Sequence, residues 1–260
     1  MALRLKGGGP LPEVGDRLVV GTCDIAGAGV RALLGLARAG GAPPPTVHEL
    51  ELVSLVAPLS RDDADARAVF VSPGAARDAT PAVSLVRLDA SLSLLAVNTA
   101  TREEDEAPLA AAVLSLAARC SHLLIAGALR VDGAAPEAAL EVELGGEARR
   151  GDATPRVKLR DGALAAIFHA ARATGARATC VFVPGHRVSR LGGLAGEPSA
   201  TEAEATRATH ALGEAVARKL NESENESAWR YDAGVAGRFR ATRLWRENAG
   251  APARTERMYT

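Results

Sequence analysis

Short apolar runs alternate along this chain with segments whose apolar residues recur every three or four positions, and that alternation constrains the fold more than any other feature. Leu18, Val19 and Val20 form such a run and end at Gly21. After a glycine-rich turn, Val30 to Ala39 carries Val30, Leu33, Leu34 and Ala37 at helical spacing. Gly40, Gly41 and the prolines Pro43, Pro44 and Pro45 stop that helix, and Val47 to Val56 resumes as an extended segment. Ala68 to Ser72, Val83 to Leu88 and Leu92 to Val97 read as further strands, the last two close enough to form a hairpin.

The second half repeats the grammar. Thr101 to Asp105 supplies a cap and acidic residues for a helix from Pro108 to Arg119, with Leu109, Val113, Leu116 and Ala117 on its apolar face. His122 to Gly127 is a buried strand. Asp161 caps a helix in which Leu164, Ile167, Phe168 and Ala171 share a face, Gly175 ends it, and Ala178 to Val183 is the next strand. Glu202 to Leu220 is a final long helix. Strands and helices in this order predict an α/β fold, a mainly parallel sheet layered with flanking helices. The 260 residues, 47% of them apolar, suffice for one such domain. The expected division is a flexible N-terminal segment over 1–16, the α/β domain over 17–220, and a polar linker with an extended docking tail over 221–260.

Charge excludes several partners. Thirty-one basic and thirty-one acidic residues cancel, so no global field points to nucleic acid or to an anionic membrane. Arg, Asp or Glu interrupts every apolar run before it reaches the roughly 20 residues a membrane span needs. Residues 7–10, three glycines and a proline, break any secretory signal core, which points to the cytoplasm or nucleus. Cys23, Cys120 and Cys180 are odd in number and widely spaced, which suits free thiols better than disulfides or a zinc site.

The stretch Gly21 to Gly29 follows a strand and opens a helix, where a phosphate-cradling loop would lie. It lacks the Lys-Ser/Thr ending of a P-loop and the glycine spacing of a dinucleotide fingerprint, so close helix-to-sheet packing is the favoured reading. Cys23 occupies a position open to a nucleophile, but the neighbouring Asp24 opposes thiolate formation and no histidine is tied to it by motif. His48, His169, His186 and His210 are scattered, and Cys120 with His122 lacks metal-ligand spacing. No serine lies in a nucleophile elbow, and no carboxylate pair is marked out for acid and base work. Neither a catalytic residue, a cofactor nor a metal is therefore assigned. The alternative that keeps an enzyme is a nucleoside phosphorylase or hydrolase type using the Gly21 to Gly29 turn.

From Ala228 to Thr260 the chain carries seven arginines against three acids. Five of its eight aromatic residues, Trp229, Tyr231, Phe239, Trp245 and Tyr259, fall there. Such a segment suits an acidic protein surface, while Phe239 and Trp245 fit equally well in the chain's own core. Met258, Tyr259 and Thr260 close it with an apolar side chain, a phenol and a carboxylate, three groups that one pocket can accept together.

Three pieces of the chain resemble the family of paired proteasome-assembly chaperones. Leu18 to Leu34 is similar to that family's opening strand, glycine-containing turn and helix. Leu159 to Val183 resembles its late small-residue helix and following strand, and Met258-Tyr259-Thr260 matches its hydrophobic-Tyr-any residue ending. The resemblance implies a nucleoside-phosphorylase-like core and a heterodimer with a second proteasome assembly chaperone of similar fold. It also implies binding to the proteasome α subunits, with the terminal carboxylate and Tyr259 entering a pocket between neighbouring subunits where a lysine meets the charge.

Overall fold

The computed structural model describes residues 3–5, 7–22, 24, 27–40, 45–52, 83–98, 101, 103–130, 139–145, 159, 161–185, 200–222 and 228–236. They build an α/β sandwich around an eight-stranded sheet. In chain order its elements are β1 (Leu3–Leu5), β2 (Arg17–Thr22), α1 (Ala28–Leu34), β3 (Leu36–Arg38), β4 (Thr46–Leu52), β5 (Val83–Arg87) and β6 (Leu92–Val97). There follow α2 (Glu103–Ala117), β7 (His122–Arg130), β8 (Leu140–Leu144), α3 (Gly162–Thr174), β9 (Ala178–Gly185), α4 (Ala200–Glu222), β10 (Trp229–Tyr231) and α5 (Ala233–Ala236).

The sheet order is β1-β4-β5-β6-β2-β7-β9-β8. Its centre, β6-β2-β7-β9, is parallel, and both flanks are antiparallel, so the sheet is mixed. The expected β5–β6 hairpin is present, with Leu85 opposite Leu95. Alternation along each central strand divides the core into two layers. Leu18, Val20, Ile125, Cys180 and Phe182 face α2 and α3, whereas Val19, Leu124, Val181 and Val183 face α1 and α4. No helix among the described residues is long and apolar enough to cross a membrane.

Three local readings are corrected. The helix expected to run to Ala39 stops at Leu34, and Leu36–Arg38 instead pairs antiparallel with Trp229–Tyr231. A partner strand almost two hundred residues away overrides the local helical spacing, and a Cβ at Gly35 would run into the Tyr231 ring. Helix α2 starts at Glu103, ahead of Pro108, because its four leading acids favour the helix N-terminus. The carbonyl that Pro108 leaves without a donor belongs to exposed Glu104, where water can serve it. Finally, Leu3–Leu5, within the segment expected to be a flexible lead-in, pairs with β4 and buries Leu3 in the core. The strand expected at Ala68 to Ser72 lies outside the described residues, as does Val47 to Val56 beyond Leu52.

A side chain in the last turn of α4 clamps the start of β10. Asn221 donates Nδ2–H to the Trp229 carbonyl and accepts the Trp229 N–H on Oδ1, both at 2.8 Å. Asn221→Ala is expected to lower stability by about 1–3 kcal/mol, since two backbone groups lose their partner. Thermal unfolding measures it, and an unchanged midpoint would show that β10 is held without the clamp.

Candidate functional site

Strand β2 lies between two parallel neighbours, and the carboxyl end of such a strand is where α/β sheets open their ligand crevices. The turn leaving β2 is packed backbone against backbone. A Cβ at Gly21 would lie 2.6 Å from the Gly29 carbonyl oxygen, and one at Gly29 would lie 2.9 Å from that of Ala126. Gly27, at φ 62°, turns the chain into α1 in a conformation that side chains with a Cβ rarely adopt. Close packing, the reading favoured from the sequence, accounts for both Gly21 and Gly29.

Asp24 fills the place a bound anion would take. Its Oδ1 accepts the Gly29 N–H at 2.9 Å, and its Oδ2 accepts the Ala128 N–H of β7. Only 5% of the residue is exposed. One carboxyl group thereby ties the turn, the start of α1 and the end of β7 together. Gly127 makes this possible, because a Cβ there would lie 2.6 Å from Leu164 Cδ2 and 3.3 Å from Asp24 Oδ2. Asp161 caps α3 nearby, accepting the Leu164 N–H at 2.6 Å, as expected. The Thr22 hydroxyl lies near the Asp161 carboxyl without a well-formed hydrogen bond, and we read that contact as electrostatic.

Burial raises Asp24 well above the usual carboxylate range; the N–H groups of Gly29 and Ala128 pull it back, and Asp161 adds to the rise. Asp161 is raised as well, again by burial, against the Leu164 N–H and Thr22. The N–H groups of Gly29 and Ala128 are already engaged by Asp24, so among the described residues of the turn the Gly29 N–H is not open to a phosphate. The geometry suits a structural latch. Asp24 was legible only as a neighbour of Cys23; its place immediately before a glycine-opened helix was the signal that could have found it.

The remaining candidates are dispersed. Burial pushes the thiol of Cys180 up to about 12 and that of Cys120 to about 11, with Glu143 and Asp16 respectively adding to the rise, so neither is a thiolate at neutral pH. Cys23 and His186 lie outside the described residues. His122 Nε2 sits 2.8 Å from Thr179 Oγ1, which donates to Glu143 Oε2 at 2.8 Å. Lys219 joins Glu141, Glu143 and Glu222 at 3.1–3.3 Å, fastening the end of α4 to edge strand β8. Among the described residues, no group of three or more His, Cys, Asp or Glu side chains is placed to hold a metal ion.

The expected docking residues Met258, Tyr259 and Thr260 lie outside the described residues, together with Phe239 and Trp245. Two other late aromatics belong to the folded body. Trp229 is 3% exposed, with the Arg38 guanidinium 6.0 Å from its ring centroid, and the Tyr231 ring packs between Gly35 and Gly213. Their enrichment in the last part of the chain therefore reflects core packing at least in these two cases, and within the span expected as linker and tail, Asn221 and Glu222 end α4 while Trp229–Tyr231 and Ala233–Ala236 form β10 and α5.

No protein-family model and no curated protein matches this chain. Solved structures do. A Thermoplasma acidophilum protein of unknown function aligns at a TM-score of 0.52 and 12% identity, over 91% of this chain and 85% of its own. Pyrococcus furiosus PbaA, an archaeal homolog of proteasome-assembly chaperone, aligns at a TM-score of 0.47 and 12% identity, over 87% of this chain and 83% of its own. A PAC2 family protein from Streptomyces avermitilis aligns at 0.39 and 14% identity, over 90% and 94%. At such identities the likeness to the Thermoplasma protein is one of fold.

Proposed function

We propose that this chain is a non-enzymatic chaperone of 20S proteasome assembly. It acts as a heterodimer with a second chaperone of similar fold, promotes formation of the α-subunit ring, and docks its C-terminal residues between adjacent α subunits. The observation that carries the reading is the ending Met258-Tyr259-Thr260, in a chain whose Leu18 to Leu34 and Leu159 to Val183 segments also resemble the chaperone family. The Tyr-Thr ending is most similar to proteasome assembly chaperone 1 within it. The strand-turn-helix and helix-strand order of those two segments supports the reading, and so does the Asp24 latch, which takes the Gly29 N–H that the enzymatic alternative would offer a ligand.

In this mechanism Met258 fills an apolar lip, Tyr259 orders the pocket wall, and the Thr260 carboxylate meets a lysine. Burying that carboxylate is tolerable only as a pair. Because the pocket is shared, binding rewards correct adjacency of two α subunits. A three-residue anchor is weak alone, so the folded body or the second chaperone contributes through linked binding. Deleting Met258–Thr260 is expected to reduce capture of α-ring intermediates by about tenfold or more while thermal unfolding stays as in wild type. Undiminished capture would refute docking by these residues.

A further inference from the structure

Helices α2 and α3 lie side by side on one face of the sheet and run in the same direction. The Glu106 carboxylate rests against Gly162 at the start of α3, and Ala118 and Thr174 share the opposite end. A solvent-facing helix surface ordinarily carries charge. Here α2 presents Ala107, Ala111 and Ser115 outward, followed by Ala118 just past its end, all exposed, and a groove of about 660 Å³ runs between them and Ala166 and Ala170 of α3. Among the described residues, charge of opposite sign predominates at the groove's two ends, with Asp16 also present beside Cys120 at the second. Glu103, Glu104 and Glu106 mark the end where both helices begin; Arg119, Arg172 and Arg177 mark the end where they finish.

Independently of the chaperone reading, we infer that a second copy of this chain seats on the α2/α3 groove about a two-fold axis, its helices antiparallel to the first pair. Self-complementarity selects this occupant. A two-fold through the groove centre places the acidic end of each copy over the arginine end of the other, whereas a parallel arrangement would oppose like charges at both ends. Alanine and serine at the seam let facing helices approach to about 8 Å. A face two helices wide and about 22 Å long buries on the order of 1,000 Å² in total, the low end for a stable interface, so the dimer dissociates on dilution.

Sedimentation equilibrium of the full chain across roughly two decades of concentration tests this. The expected result is a reversible transition between the 26.8 kDa monomer and a species of twice that mass, weakened by salt. Ala111→Arg is expected to weaken association by at least about tenfold with unchanged thermal unfolding. Glu103→Arg with Glu104→Arg should also weaken it, and adding Arg119→Glu and Arg172→Glu should restore it. A chain that stays monomeric, or pairs only with a different protein, overturns the proposal. So does a dimer indifferent to Ala111→Arg, or a charge reversal without rescue.

Discussion

Gly21→Ala is expected to destabilise the protein by about 3 kcal/mol or more, a large share of the roughly 5–15 kcal/mol that holds a domain folded. The added methyl would meet the Gly29 carbonyl oxygen and Leu33 Cδ1 at 2.6 Å and the Gly29 carbonyl carbon at 2.7 Å. Leu33 can change rotamer, but the Gly29 backbone cannot retreat. It is held by its N–H bond to Asp24, and a Cβ-sized gap behind it is already closed by Ala126 and Thr22. Relief requires α1 to lift off β2, which opens the layer formed by Val19, Ala32 and Leu33. Urea unfolding measures the effect. A wild-type midpoint would mean that helix and strand do not approach as closely as described.

Asp24→Ala is expected to cost about 2–5 kcal/mol, because two buried N–H groups, those of Gly29 and Ala128, lose their acceptor together. Asp24→Asn separates this structural term from the titration. Asp24 has a folded pKa raised above its unfolded value of about 4, so the folded state holds the proton more tightly. Its contribution is complete below pH 4 and is lost as pH rises through the folded pKa. Asparagine does not titrate. The stability deficit of the Asn variant is therefore expected to be largest near pH 4 and to shrink toward neutrality, measured by urea unfolding at several pH values. A deficit that grows with pH would contradict the raised pKa of Asp24. Asp161, raised in the same direction by burial, remains in both proteins.

Most of the central architecture was legible because its signals are local. Leu18 to Val20, His122 to Gly127 and Ala178 to Val183 are apolar runs too short for helices, and each became a strand of the parallel centre. Asp161 and Gly175 delimit α3 as cap and left-handed stop, with Gly175 at φ 66°. The edges were less legible. Strand β8 carries alternating Leu140, Glu141, Val142, Glu143 and Leu144, a period-two pattern brief enough to pass for a loop until Lys219 and β9 give it partners. Of the candidate sites, the glycine turn was placed correctly but its anchoring acid was not singled out, and Met258 to Thr260 remain an expectation resting on the residues themselves.

Alternation of strands and helices, the boundaries of α3 and the reason for glycine at the β2 turn follow from the sequence alone, because periodicity, caps and the need for close backbone approach act within a few residues. Strand order, the antiparallel flanks, the β3–β10 pair and the meeting of Asp24 with β7 were decided only in three dimensions. Each joins groups far apart in the chain: Leu36 with Tyr231, Leu3 with Leu52, Asp24 with Ala128. Such pairings form where burial and backbone hydrogen bonding are satisfied together, a condition on the whole folded chain that no single segment carries.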